Sequence, residues 1–198
     1  MNNKVIGALI IVVLALGGYW VVTRDNNTTT GTAPELTMSV LTGGNIIFSY
    51  ATSTYGLASS ADAVATHPVN LPCDAGFGFC LYRLDTSKGD AGVSIVARTD
   101  LKTQSTCIST SPAGSTLAPQ TSEESSHATS VFNLDANSSV YRLWDGNLCH
   151  EFVTRIQPAS NVAAVAAAQI ADATVDIDSM LSSVTIASTG AEVVFPEI

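Results

Sequence analysis

An uninterrupted apolar segment near the N-terminus is the feature that most constrains this chain. Residues Val5–Val22 are 18 consecutive uncharged positions, preceded by Lys4 and followed closely by Arg24. A helix of that length is about 27 Å long, close to the thickness of the hydrocarbon core of a bilayer. The segment therefore predicts that the remainder of the chain crosses a membrane and folds outside the cytoplasm.

Two interpretations of this apolar segment stay open. As a signal anchor, it places Tyr19 and Trp20 in the aromatic belt at the membrane interface. As a cleaved signal peptide, it is cut at a small-residue site such as residues 15–17 (ALG). We favour the anchor because the apolar run continues past that site as far as Val22. A pilin is disfavoured, since the breaker-rich stretch 26–34 follows at once.

Composition along the chain suggests three regions. Residues 1–24 form the signal anchor or signal peptide, residues 25–35 a linker, and residues 36–198 one extracytoplasmic domain, a normal size for a single core. Within that domain, residues 109–130 are dominated by Ser, Thr, Ala and Pro. A stretch of this length and composition predicts a mobile loop.

The exported part of the chain is strongly acidic. After residue 24 there are 6 basic and 17 acidic residues, so its formal net charge is 6 − 17 = −11. Nucleic acid is excluded as a partner, because binding to a duplex depends on Lys and Arg side chains that neutralise phosphates. Docking on anionic lipid headgroups is disfavoured for the same reason. The partners predicted are the membrane, through the N-terminal helix, and another protein of the cell envelope.

The chain has four cysteines, and all lie in the exported region: Cys73, Cys80, Cys107 and Cys149. An even number of cysteines outside the cytoplasm predicts two disulfides. A zinc site is the alternative, but structural zinc normally uses closely spaced cysteine pairs, whereas six residues separate the nearest pair here. Three pairings are open to four cysteines; we favour Cys73–Cys80 and Cys107–Cys149.

Two pairs of strands are predicted in the first half of the domain. Segments Leu36–Leu41 and Ile46–Tyr50 flank a Gly43-Gly44 centre, which supplies the positive φ angles of a hairpin turn. Segments Phe79–Leu84 and Gly92–Arg98 follow, separated by turn-forming residues.

A further hairpin is predicted over residues 138–156. Asp145-Gly146 at its centre is a strong signal for a two-residue type I′ turn, which makes Leu143 oppose Leu148. The face predicted to lie on the core carries Tyr141, Leu143, Leu148, His150, Phe152 and Ile156. The other face carries Arg142, Trp144, Cys149, Glu151 and Arg155, and it needs a partial cover.

Helices are predicted mainly near the C-terminus. A short one at Ser59–Ala65 precedes an alanine-rich helix at Asn161–Ala171 and another helix that begins at Asp176 as its N-cap. That last helix has an apolar stripe of Ile177, Met180, Leu181 and Val184. A short strand is predicted at Ala191–Phe195. The fold class is therefore α+β, an antiparallel sheet built from hairpins with helices packed on it.

No catalytic or metal site is predicted. Cys149 and His150 are adjacent in a strand, where neighbouring side chains point to opposite faces, so they cannot form a nucleophilic pair. Glu123, Glu124 and His127 are predicted to be a solvated part of the loop. The three aspartates between 172 and 178 lack the spacing of a calcium loop, and a capping role explains one of them. No cofactor is predicted either.

Two short segments resemble the PsbP-like family. They are residues 46–50 (IIFSY) with 55–57 (YGL), and residues 180–184 (MLSSV) near the end of the chain. Members open with a strand of similar sequence, although Ala51 stands where the family has proline. The resemblance implies an αβα sandwich around an antiparallel sheet. It also implies an exported accessory or assembly protein, in most members without catalysis.

These observations favour a non-catalytic binding or accessory module of the cell envelope, held at the membrane by its N-terminal segment. A secreted hydrolase with a site that sequence does not reveal is the first alternative, and a structural surface protein is the second. An enzyme predicts a concave pocket in which polar groups converge and ionisable groups titrate abnormally.

Overall fold

The computed structural model describes residues 36–40, 45–58, 67–73, 78–116, 118–124 and 127–196. The anchor with Tyr19 and Trp20, the linker and the helix predicted at 59–65 lie outside the described residues. None of the helices described in these ranges combines the length and the apolar character needed to cross a bilayer.

Strands are the main regular structure of the described chain. In sequence order they are β1 (Leu36–Val40), β2 (Ile46–Ala51), β3 (Tyr55–Leu57), β4 (Gly78–Arg83), β5 (Asp90–Arg98), β6 (Gln120–Glu123), β7 (Ala128–Asp135), β8 (Ser138–Trp144), β9 (Cys149–Gln157), β10 (Thr185–Ile186) and β11 (Ala191–Glu192). The larger sheet has the order β3-β4-β5-β9-β8-β7-β6, and the smaller one β1-β2-β10-β11. All the pairings are antiparallel.

Within the described ranges two α-helices accompany the sheets, α1 (Gln104–Ser109) and α2 (Ala163–Ser182). The α+β class predicted from sequence is confirmed. Two predictions for the C-terminal helices are wrong, because α2 is one continuous helix and Asp176 lies inside it rather than at an N-cap. The apolar stripe is confirmed, since Ile177, Met180 and Leu181 are buried on α2 and Val184 is buried just after it.

One face of the larger sheet, which we call the helix face, packs against α2 and the smaller sheet. Phe48 of β2, Leu81 of β4, Ile95 of β5 and Phe152 of β9 are buried there with Met180 of α2. Complete burial of an apolar side chain of this size contributes roughly 1.5–3 kcal/mol. This layer is therefore the main core of the domain.

The opposite face carries Cys80 on β4 and Cys149 on β9, and we call it the disulfide face. Two short segments cover it. Residues 67–73 pack with Val69 and Leu71 against Tyr82 and its neighbours, and α1 packs with Cys107 and Ile108 around Cys149. The cover predicted over this face is thus present.

Both favoured disulfides are present, and each one ties a covering segment to the sheet beneath it. Cys73 of the 67–73 segment is bonded to Cys80, with a Cα–Cα distance of 5.9 Å. Cys107 of α1 is bonded to Cys149, at 5.6 Å. The covers are short and bury few apolar side chains, so the covalent links compensate for weak packing.

The β8–β9 hairpin forms as predicted but in a different register. Leu143 opposes His150, and Tyr141 opposes Phe152. The turn holds the four residues 145–148, because the Asp145 carboxylate accepts the backbone N–H groups of Asn147 and Leu148 at 2.9 and 2.7 Å. A shift of two residues leaves the side chains within the two strands on their predicted faces, although the opposed pairs differ. Leu148 is the exception: it is predicted to lie on the core face, but it lies in the longer turn, before β9 begins at Cys149.

The earlier strands follow the prediction closely, whereas residues 109–130 do not. Pairing of β1 with β2 and of β4 with β5 confirms both predicted pairs of strands; the Gly43-Gly44 turn lies outside the described residues. Within 109–130, however, residues 120–123 form β6 and β7 begins at Ala128. The assignment of the whole stretch as a loop is therefore wrong, and its mobility remains a prediction.

Candidate functional site

A groove of about 650 Å³ separates α2 from the C-terminal segment 192–196. On the helix side it is lined by Thr174, Asp178, Leu181 and Ser182. Their spacing of i, i+4, i+7 and i+8 places these four side chains on one stripe of α2. The groove is therefore built on a rigid element, with its other wall formed by the last described residues of the chain.

Several contacts fix the C-terminal wall of this groove. The backbone N–H of Val193 donates to the carbonyl of Val184 at 3.0 Å, and the Thr129 hydroxyl donates to the carbonyl of Val194 at 2.9 Å. The Phe195 ring packs edge-on against Tyr141 and Phe152, with centroids 5.5 Å apart in both pairs. Aromatic pairs of this geometry each contribute about 0.5–1.5 kcal/mol beyond area burial.

The groove is acidic on both walls and apolar at its base. Asp178 lies on the α2 wall and Glu192 on the C-terminal wall, and within the described residues neither carboxylate has a hydrogen-bond or ion-pair partner. Burial raises the pKa of the Asp178 carboxyl above its ordinary value. Burial, together with the nearby Asp178 charge, likewise raises the pKa of the Tyr141 hydroxyl.

Chemically, such a groove favours a ligand that is positively charged and apolar at once. A cationic group bound between Asp178 and Glu192 stabilises the ionised form of the Asp178 carboxyl. Leu181, Val193 and Phe195 offer an apolar surface next to it. The sequence alone does not reveal this site, because Glu192 and α2 meet only in the folded chain; the polar positions on one stripe of α2 are the one signal that the sequence offers for it.

The other two aspartates of α2 bind an arginine. Asp172 and Asp176 contact Nη2 of Arg83 at 2.5 and 3.1 Å, and only 4% of Arg83 is exposed. Burial keeps the pKa of Asp176 above its ordinary value even though Arg83 lowers it. Asp178 is not among the carboxylates that contact Arg83, and no cluster of three or more potential metal ligands occurs within the described ranges. These contacts anchor α2 to β4.

The Tyr55 hydroxyl is buried near this ion pair. It has no hydrogen-bond partner among the described residues, and the residue is only 2% exposed. Burial, reinforced by the charge of Asp176, raises its pKa. A void of about 110 Å³ lies beside Tyr55, Asp176 and Ser183, large enough for a few water molecules but not for a substrate of ordinary size.

Cys149 and His150 lie on opposite faces of β9, as predicted. Cys149 is disulfide-bonded on one face, and His150 on the other face is fully buried, with its Nε2 atom 2.9 Å from Oδ2 of Asp145. The two residues therefore do not form a Cys–His pair. His150 Nδ1 is also buried, without a hydrogen-bond partner within the described structure.

The acidic pair near β6 is arranged differently from the prediction. Glu124 donates its backbone N–H to the carbonyl of His127 at 2.8 Å, which links the residue after β6 to the residue before β7. Glu123 is exposed, whereas His127 is buried, with its Nε2 atom 3.8 Å from a Glu124 carboxylate oxygen. The prediction of a solvated loop is thus wrong for His127, which packs at the start of β7.

Comparison of the chain with protein families, with curated proteins and with solved structures found no significant match. The resemblance to the PsbP-like family therefore stays a prediction. The two segments on which it depends do meet in the fold: Ser183 Oγ accepts the backbone N–H of Ser49 at 2.8 Å and donates to the Ser49 carbonyl at 3.2 Å.

Proposed function

We propose that the chain is a non-catalytic binding or accessory module that acts outside the cytoplasm, held at the membrane by its apolar N-terminal segment. The groove between α2 and residues 192–196 is its binding surface. The observation that carries this proposal is a pair of carboxylates, Asp178 and Glu192, on opposite walls of a groove with an apolar base, neither of which has a partner among the residues that the structure describes.

The location outside the cytoplasm is supported by the cysteines. All four are joined in disulfides, and such bonds persist in oxidising compartments but are rare in the cytosol. The apolar run Val5–Val22 provides the means of export and attachment.

The ligand proposed for the groove is a segment of an envelope protein with a Lys or Arg side chain next to an apolar one. Charge complementarity supports this choice, since the chain has a formal net charge of −9 and none of the described residues that line the groove is Lys or Arg. Attraction of opposite charges accelerates such an encounter and falls with rising salt.

A hexapeptide that alternates lysine and leucine tests the proposal. Its binding to the full chain is measured by calorimetry, beside a peptide in which glutamate replaces lysine. We expect the lysine peptide alone to bind, and Asp178→Asn to weaken it by about tenfold, as expected for loss of one charge-assisted contact.

Glu123→Gln is the matched control, because it removes the same charge from an exposed residue of β6 that does not line the groove. We expect it to leave the affinity unchanged. Equal binding of both peptides, or the same affinity in wild type and Asp178→Asn, contradicts the proposal.

A further inference from the structure

A second concavity, of about 490 Å³, lies on the disulfide face. Its walls are the covering segment 67–73, the β7–β8 turn and the end of β9. The polar side chains that line it are those of Asn70, Asp135, Asn137, Ser138, Arg155 and Gln157. We call it the Arg155 pocket. It is separate from the groove proposed above, which lies along α2, so the inference below does not depend on that proposal.

Arg155 differs from every other arginine that the structure describes. Arg83 contacts two aspartates, Arg98 contacts Asp100 and Glu151, and Arg142 contacts Glu151. The Arg155 guanidinium has no ion pair or hydrogen bond to any described residue, and its Nε atom is buried without an acceptor among them. Arg155 is only partly buried, and its two Nη atoms are not among the buried atoms without a partner, so an acceptor that enters the pocket can form with them a charge-assisted hydrogen bond that the described residues do not supply.

The surroundings of Arg155 supply further hydrogen-bond donors. The side chains of Asn70, Asn137 and Ser138 line the pocket and make no hydrogen bond within the described structure. A planar guanidinium with amide and hydroxyl donors beside it matches the geometry of a carboxylate, which binds arginine through two parallel hydrogen bonds.

One acidic group in the pocket limits the charge of the ligand. Asp135 also lines it, and its Oδ1 accepts the backbone N–H of Asn137 at 2.8 Å. Its negative charge opposes that of an anion, and more strongly for a doubly charged phosphate than for a singly charged carboxylate.

From these observations we infer that the Arg155 pocket binds the carboxylate group of a small ligand or of a peptide C-terminus. Arg155 binds the carboxylate directly, and Asp135 disfavours ions of higher charge.

Calorimetry on the full chain at low salt tests this inference with four probes. N-acetyl-dialanine has a free C-terminal carboxylate, its C-terminal amide lacks that charge, acetate is a carboxylate without a peptide, and inorganic phosphate is the more highly charged anion. We expect N-acetyl-dialanine to bind and its amide not to bind. Binding of acetate with similar affinity identifies a general carboxylate site, and weaker binding of acetate identifies a site for the peptide C-terminus.

Three substitutions locate the binding. Arg155→Gln is expected to lower the affinity for N-acetyl-dialanine by about 10- to 100-fold, the effect of removing a hydrogen-bonded charge. Asp135→Asn keeps an acceptor for the Asn137 backbone and removes the opposing charge, so it is expected to tighten binding. Lys102→Gln, which changes the net charge equally at an exposed position outside the pocket, is expected to have no effect.

Thermal unfolding of each variant accompanies the titrations, and Arg155→Lys serves as a second variant that keeps the charge but not the planar fork. We expect Arg155→Lys to bind more weakly than wild type while it unfolds at a similar temperature. The inference is overturned if no probe binds at millimolar concentration or if phosphate binds more tightly than N-acetyl-dialanine. Equal affinity in wild type and a folded Arg155→Gln or Arg155→Lys variant also overturns it.

Discussion

Asp145 connects the turn between β8 and β9 to the core. One carboxylate oxygen accepts two backbone N–H groups of the turn, and the other lies 2.9 Å from Nε2 of the buried His150. Burial by itself raises the pKa of Asp145, but the hydrogen bonds from His150 and from the turn outweigh it and hold the pKa below its ordinary value.

Asp145→Ala tests this role. The substitution removes the turn contacts and leaves His150 buried without its partner, which costs about 1–3 kcal/mol of the free energy of unfolding. Urea unfolding at pH 7 measures the loss. Asp85→Ala, which removes an exposed aspartate with a similar local contact to Ser87, is expected to have a much smaller effect.

The same variant gives a pH dependence of definite sign. Because the folded pKa of Asp145 lies below the unfolded value of about 3.9, its stabilising contribution is complete above that value and is lost as pH falls through the folded pKa. The stability difference between wild type and Asp145→Ala therefore shrinks below about pH 4. A difference that stays constant from pH 7 to pH 2 contradicts the lowered pKa of Asp145.

Asp178 gives a pH dependence of the same sign, here in ligand binding rather than in stability. Its pKa is raised in the unliganded protein, and a cationic ligand favours the ionised form, so binding releases a proton from any molecule in which Asp178 is protonated. We expect the affinity for the lysine-leucine peptide to rise with pH through the carboxyl range and then to level off. Titrations between pH 3.5 and 7 measure this, and the rise should be smaller in Asp178→Asn.

Among the helices and strands, the sequence correctly predicts the features that depend on residues close together in the chain. Glycine turns and alternating apolar residues are local, and they correctly predict that β1 pairs with β2, β4 with β5 and β8 with β9. Asp176 resembles an N-cap locally, but its partner Arg83 lies 93 positions away in the chain. A local sequence pattern does not reveal a partner so far away in the chain. The pattern therefore predicts two helices where the structure has the single helix α2.

The short helix α1 and the two pockets were missed for related reasons. Six residues of ordinary propensity do not predict a helix; α1 is held by a capping box between Thr103 and Thr106 and by the Cys107–Cys149 bond. The groove and the Arg155 pocket bring together segments that are far apart in sequence. The sequence does predict which face of β8 and β9 each side chain lies on. Side chains alternate between the two faces of a strand, so a register that is wrong by two residues leaves each of them on the same face.

Gly92 of β5 tests how closely the 67–73 segment packs on the sheet. A Cβ atom there lies 2.8 Å from Leu71 Cδ1 and 2.9 Å from the carbonyl oxygen of Leu81, and the second of these is backbone that cannot move aside. We expect Gly92→Ala to destabilise the protein by about 1–3 kcal/mol, the usual cost of overpacking.

Gly56→Ala is the matched control for Gly92→Ala in thermal or urea unfolding. The added methyl group at Gly56 meets only the side chain of Leu84, which is exposed and can rotate away. Equal losses of stability in the two variants contradict the close packing described for the disulfide face.

For the whole molecule, the two faces of the larger sheet are stabilised by different means. The helix face has a continuous apolar core with α2. The disulfide face has two smaller clusters, and each includes one cysteine bond. The fold as described therefore depends on oxidised cysteines, and this dependence links its architecture to the compartment in which it folds.

Removal of each disulfide in turn is expected to have unequal effects. The Cys107–Cys149 bond spans 42 positions and the Cys73–Cys80 bond 7. Loop-closure entropy gives contributions of about 4 kcal/mol and roughly 2–3 kcal/mol, respectively. Double alanine variants compared by urea unfolding measure both, and a larger loss for the short loop contradicts this account.

The most direct test of the central claim is the oxidation state of the cysteines in the native cell. Intact mass spectrometry of the protein from membrane and cytosolic fractions, alkylated before and after reduction, measures it. We expect the protein in the membrane fraction, with its apolar N-terminal segment retained, no alkylation before reduction and four alkylated cysteines afterwards. Recovery from the cytosol with cysteines that alkylate without reduction would contradict the account.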